Sequence, residues 1–321
     1  MNIVAAWNGG IADQSRSRMI IWGGGHNDYY GNELYALDLN QLSMTRLNDP
    51  SALYPGPPPL PCKPAMPDGK PNTRHTYGGL TYIAHADRMY VFGGIVACTN
   101  GGGSDDTWTL DLKTLKWSSM DPHKGQQPRT IIGVTMSDYD PNTKLVFMQN
   151  LRDFYSYNYD ANSYSRLQFD QKDVSYHMTG VIDPQRKLFI MFGGQWEDNG
   201  GVKVISIGPH SNYQVQDWNA QVKGCEAIRN SAYPGLAYDP VQHAIVGWSG
   251  GNNVYVFNPD TKTCTPLTFP NGPADPQRNG THGRFRYFEK LDVFALVNDV
   301  GQNAFVLRLR PAPGAGTATT K

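Results

Sequence analysis

Histidine, arginine and tyrosine recur together at intervals along this 321-residue chain, each time just ahead of an apolar run. The groups are Arg74-His75-Thr76-Tyr77, Tyr176-His177, Arg229 with Tyr233, and Thr281-His282-Gly283-Arg284. Trp7-Asn8 and Arg129 occupy comparable places, and His26 closes a glycine-rich stretch, GGGHNDYYGN at 23–32. These residue types suit one chemistry in particular. β-Elimination beside a carboxylate needs a guanidinium or metal to neutralise the acid, an imidazole or phenol to take a proton, and a second one to protonate the leaving oxygen. His75, His177, Tyr77 and Tyr176 are the candidate acid–base groups. Trp7, Asn8, His26, Arg74, Arg129, Arg229, Tyr233, His282 and Arg284 are the candidate ligand contacts. His75, His177 and His282 could instead hold a divalent metal such as zinc or manganese.

The elements that must position these groups are strands. From Arg74 to Met120 four β-rich runs follow one another, HTYGGLTYI, RMYVFGG, DTWTLDL and KWSSM, each bounded by turn residues. Five further units repeat the pattern, at Ala5–Asp49, Thr130–Phe169, Ser175–Trp218, Ser231–Phe269 and Thr281–Arg310, the last with three strands. Glycine pairs recur at Gly23-Gly24, Gly93-Gly94, Gly193-Gly194 and Gly250-Gly251. A four-stranded meander buries neither face alone, so each unit needs neighbours.

Four strands with a double glycine and a late Trp108 or Trp117 resemble a kelch repeat, one blade of a β-propeller. The resemblance implies an all-β, six-bladed propeller of four-stranded antiparallel blades over residues 1–310, its last blade incomplete or closed by the N-terminus. Residues 311–321 are expected to form a disordered, linker-like tail. The Pro-rich stretch Ser51–Thr73 reads as a long loop over one face rather than a seventh blade.

Connections between strands two and three, and from strand four to the next unit, fall on one face of such a ring. All the candidate residues gather there, with His75, His177 and His282 in the second, fourth and sixth units. Aligned on the Asp-Pro turns, however, His177 matches Tyr233 and Tyr77, with His75 two residues earlier. The channel mouth on this face is expected to be the deepest polar concavity, lined by His75, His177, Arg129, Arg229, Tyr233 and His282.

Three functions compete. The residue types suit a carbohydrate-active propeller that binds or acts on an acidic polysaccharide, as a uronate lyase if it is an enzyme. A non-catalytic module for a glycan or a protein partner is the first alternative. A copper-radical oxidase is the second, because the repeats resemble the central domain of galactose oxidase and Tyr176-His177 resembles its copper-binding Tyr-His pair. Against that, no Cys stands beside a candidate equatorial Tyr, and no further β-domain follows in this sequence to supply another histidine.

Lys+Arg and Asp+Glu are both 28, so no overall basic field points to nucleic acid. No apolar run approaches the roughly 18 residues of a membrane helix. Cys62 and Cys98 flank one unit on one face and are expected to bridge. Cys225 and Cys264 are expected on opposite faces, too far apart for a second bridge. One disulfide mildly favours an oxidising compartment, hence a secreted or periplasmic home, although MNIVAAW shows no signal-peptide pattern.

Overall fold

The computed structural model of the protein describes every residue except 1, 27, 54–60, 99–100, 122–126, 132–134, 173, 195–199 and 311–321. Six antiparallel sheets stand as blades around a channel, five of four strands and a sixth of three. Their innermost strands are Gly10–Asp13, Leu80–Ile83, Met136–Asp140, Met178–Asp183, Gly235–Asp239 and Phe285–Phe288. Each touches the next, and the first touches the sixth, so the ring closes at six. A further small sheet, Arg74–His75, Ile95–Val96 and Gly102–Gly103, extends the strands of blade two above its glycine breaks and is not a seventh blade. The expected tail at 311–321, and residues 54–60 of the Pro-rich loop, lie outside the described residues.

Period-two alternation explains why the blades pack radially. In Arg18–Ile21 and its extension, Met19 and Ile21 face blade six while Ile20 and Trp22 face blade two. In Leu188–Gly193, Phe189 and Met191 face blade three while Ile190 and Phe192 face blade five. A strand buried on both sides is apolar at successive positions, and the two sets serve different junctions. The buried apolar side chains accordingly form six clusters, one at each junction between neighbouring blades.

The double glycines sit where one blade passes close to the next. Gly23 has φ 133°, and a Cβ there would lie 2.4 Å from Asn8 Oδ1 and 2.8 Å from the Arg74 carbonyl. Gly94 has φ 99° and would bring a Cβ within 2.4 Å of the His75 carbonyl. A side chain at either place would both strain the backbone and collide with backbone or buried atoms.

Among the described residues no N-terminal strand is added to close the ring. Residues 3–7 form turns, and Ile3 and Val4 plug the apolar junction between blades one and six. Among the described residues blade six ends at Phe305–Leu307 with three strands. Hydrogen bonds close the ring instead, from Gln14 Nε2 to the Tyr287 carbonyl at 2.7 Å and from Arg284 Nε to the Asn8 carbonyl at 2.9 Å.

Two disulfides are present. Cys62–Cys98 forms as expected, with Cα atoms 5.0 Å apart. Cys225–Cys264 also forms, with Cα atoms 5.2 Å apart, which overturns the expectation of a single bridge. After the outer strand of blade four the chain does not stay on the upper face. It runs beside the outer strand of blade five, where Lys223 pairs in parallel with Thr263 and the Cys264 amide donates to the Lys223 carbonyl at 2.8 Å.

Candidate functional site

Five residues heading the inner strands of blades one, two, four, five and six share a left-handed backbone. Their φ values are 56° at Trp7, 48° at Tyr77, 65° at His177, 47° at Tyr233 and 48° at His282. Such conformations are costly for side-chain-bearing residues and persist only where surrounding bonds hold them. Those bonds run from blade to blade. The Tyr77 amide donates to the Trp7 carbonyl at 2.9 Å, the Tyr233 amide to the His177 carbonyl at 2.8 Å, and the His282 amide to the Tyr233 carbonyl at 3.4 Å. The counterpart in blade three lies outside the described residues.

This conformation turns the side chains over the channel. Tyr77 and Tyr233, from opposite blades, have ring centroids 6.4 Å apart. Trp7 stands edge-on to Tyr233 at 5.9 Å, His282 lies against Tyr233 at 4.3 Å, and His177 meets it at 5.1 Å. Tyr77, Tyr233 and His282 are buried, Trp7 and His177 are half-buried, and Tyr176 is exposed beside His177. Among the described residues, packed rings therefore meet across the mouth.

His75 and His282 are spoken for. His75 Nε2 donates to Asp28 Oδ2 at 2.7 Å, since a carboxylate can only accept, and the Gly25 backbone engages the imidazole as well. Burial holds His75 below its ordinary value, with Asp28 offsetting part of the effect. His282 Nε2 donates to the Asn279 carbonyl at 2.9 Å, and burial together with nearby Arg284 lowers its pKa to about 3. His26 is exposed, beside Gly101 of the loop that Cys98 anchors. Asn8 is buried and donates to the Ile3 carbonyl at 2.7 Å, tying down the N-terminal plug.

Three of the four arginines named from sequence are bound to the protein itself. Arg74 is wholly buried, donating to the carbonyls of Asn72, Gly93 and Pro64 and pairing with Asp106 at 2.6 Å. Arg284 is wholly buried among the carbonyls of Asn8, Val297, Asn298 and Gly280, and burial lowers its pKa to about 9. Arg229 ends a one-turn helix, Glu226–Arg229, and donates back to the Asn219 carbonyl at 3.3 Å. It is carried there by the same detour that brings Cys225 to Cys264, so it does not head an inner strand as expected.

A family model described as the KLHDC2/KLHL20/DRC7 Kelch-repeats domain matches residues 8–194, more than half of the chain. The chain belongs to the Kelch-repeat family. Its architecture is similar to the solved structure of YjhT, with a TM-score of 0.60 at 9% identity over 95% of each chain. A fungal alcohol oxidase of the AA5 family in complex with copper is similar at TM-score 0.47 and 14% identity, over 93% of this chain and 60% of that one. The Kelch chain thus spans less than two thirds of that oxidase. A chain of the nidogen/laminin complex is similar at TM-score 0.48 and 12% identity, over 87% and 91% of the two chains. No curated protein matches.

The remaining arginine of the Kelch propeller's candidate set, Arg129, lines a cleft of about 780 Å³ at the head of blade three. Arg152 and Arg166 line it too, with Asp153 as the one acid among the lining residues. Asp153 is engaged by Arg166 at 2.9 Å and by the Tyr155 hydroxyl at 3.0 Å. Arg129 and Arg152 are exposed. Arg152 and Arg166 are not among the candidates named from sequence, because nothing local shows that Arg166, on the outer strand, turns back toward this loop.

The Kelch propeller offers no fit for a metal in the residues described. No three His, Cys, Asp or Glu side chains among them converge as a metal site, so His75, His177 and His282 do not form the alternative ligand set. All four cysteines are tied in disulfides, which removes the partner a tyrosine crosslink would need. Among the described residues no helix is long and apolar enough to cross a membrane.

Proposed function

We propose that this Kelch propeller is a carbohydrate-binding module that takes an acidic saccharide on its upper face, in the cleft at the head of blade three. The observation that carries this reading is the pair of exposed guanidiniums there, Arg129 and Arg152, with Asp153, the one acid among the described lining residues, already held by Arg166. A guanidinium matches a carboxylate in two-point geometry, and Arg129 and Arg152, which make no ion pair among the described residues, can supply it. Ile131 and Leu151 add apolar wall. Binding fits better than β-elimination. Of the four candidate acid–base groups, His75 has its imidazole committed to Asp28 and Gly25, and Tyr77 is buried in the ring stack.

Titration calorimetry with an oligouronate and a neutral oligosaccharide of equal length tests this. The oligouronate is expected to bind more tightly, to weaken as salt rises, and to lose affinity in Arg129→Ala and Arg152→Ala. Equal affinity in both variants would remove the cleft from the site. Growth of the unsaturated-uronate chromophore on incubation would replace binding by lyase activity.

A further inference from the structure

At the opposite end of the channel the inner strands of all six blades enclose a cavity of about 310 Å³. Tyr82, Tyr139, Tyr238 and Tyr287, one each from blades two, three, five and six, line its walls. Their hydroxyls are engaged outside it, by Ser15 at 3.0 Å, His85 at 2.8 Å, His243 at 2.9 Å and Asp292 at 2.9 Å, so the cavity meets mainly ring carbon. Packed rings bridge the channel above. What remains is a pocket open at one end, of the size that small ligands occupy.

Two opposite charges face this space. Asp138 belongs to blade three and Arg286 to blade six, diametrically opposed in a ring of six. Asp138 takes one backbone amide on each oxygen, from Ile182 at 2.8 Å and from Tyr139 at 2.9 Å, leaving lone pairs on both. Arg286 uses Nε for the carbonyls of Gly10 at 3.2 Å and Gly283 at 3.0 Å, while its two terminal nitrogens take no hydrogen bond among the described residues. The two residues influence each other electrostatically, yet no ion pair within 4.0 Å joins them. Burial holds the guanidinium below and the carboxyl above their ordinary values, each offset in part by the other. Desolvated charges that do not meet need a partner between them.

We propose that this cavity is a second binding site, for a small zwitterion of free amino-acid size. Its carboxylate lies on the terminal nitrogens of Arg286, its ammonium on the open lone pairs of Asp138, and its side chain against the tyrosine rings. A plain anion would be drawn by Arg286 and repelled by Asp138, and a plain cation the reverse. Only a ligand carrying both charges satisfies both walls. The exposed Glu289 at the rim adds a second attraction for the ammonium.

The test is titration of the intact protein with a panel of free L-amino acids, and with acetate and methylammonium as single-charge controls, read by calorimetry. At least one amino acid is expected to bind saturably, with both controls weaker by about tenfold or more. Asp138→Asn, which keeps an oxygen for the Ile182 amide, is expected to weaken binding by about tenfold or more. No saturable binding by any amino acid overturns the proposal and leaves Asp138 and Arg286 as a water-bridged structural pair. Acetate binding as tightly as the amino acid, or unchanged affinity in a folded Asp138→Asn, overturns it equally. Failure here leaves the saccharide cleft at the other end untouched.

Discussion

Tyr77 and Tyr233 meet across the channel axis at 6.4 Å between ring centroids and 30° between planes, although 156 residues separate them in the chain. Blades two and five are thereby joined directly at the level where an open propeller would have a mouth. The contact depends on both residues adopting a left-handed backbone, which aims each ring inward instead of along its blade.

Removing one ring should therefore cost stability. Tyr233→Ala is expected to lose about 3–5 kcal/mol, as for other buried aromatics. Tyr233→Gly should lose less than Ala by about 1 kcal/mol, because glycine accepts φ 47° without the penalty a Cβ brings. Denaturant melts followed by far-ultraviolet circular dichroism check both.

Arg74 and Arg129 should behave oppositely. Arg74→Ala strands Asp106 and three carbonyls in a buried place and is expected to cost about 3–5 kcal/mol. Arg129→Ala should stay within about 0.5 kcal/mol of the parent in stability while losing oligouronate affinity. Paired melting and calorimetry on the two variants separate a strut from a ligand contact.

Acid should weaken the fold through His282. Its folded pKa is about 3 against an ordinary 6.5, so between these values the unfolded chain binds a proton that the folded one refuses. Stability from this residue is complete above pH 6.5 and falls with decreasing pH down to about 3, at about 1.4 kcal/mol per pH unit. Melts across that window should show a flatter slope in His282→Asn.

Replacing Cys225 and Cys264 together by serine should lower stability by about 2–5 kcal/mol. The loss should be visible as a lower melting temperature, with the upper-face saccharide affinity retained. Thiol titration of the unfolded, unreduced protein should find no free cysteine.

How much of this was open to reading follows from the range over which each feature is decided. The six blades are written locally: alternating apolar positions such as Met19 against Ile20, glycine pairs such as Gly23-Gly24, and aspartates at the strand ends that cap the next turn, as Asp183 does for Gln185 and Arg186. Each depends on neighbours a few residues away, so sequence determined the fold class, the number of units and the equivalence of Tyr77, His177 and Tyr233. The chemistry was decided at longer range. Arg74 and Arg284 read as ligand contacts until the carbonyls of distant turns closed around them. Cys225 reached Cys264 because the chain left the upper face and ran beside another blade. Asp138 and Arg286 face each other only because the ring closes at six, which places blades three and six opposite. No local pattern carries such information, since it resides in how far the ring turns between one blade and the next.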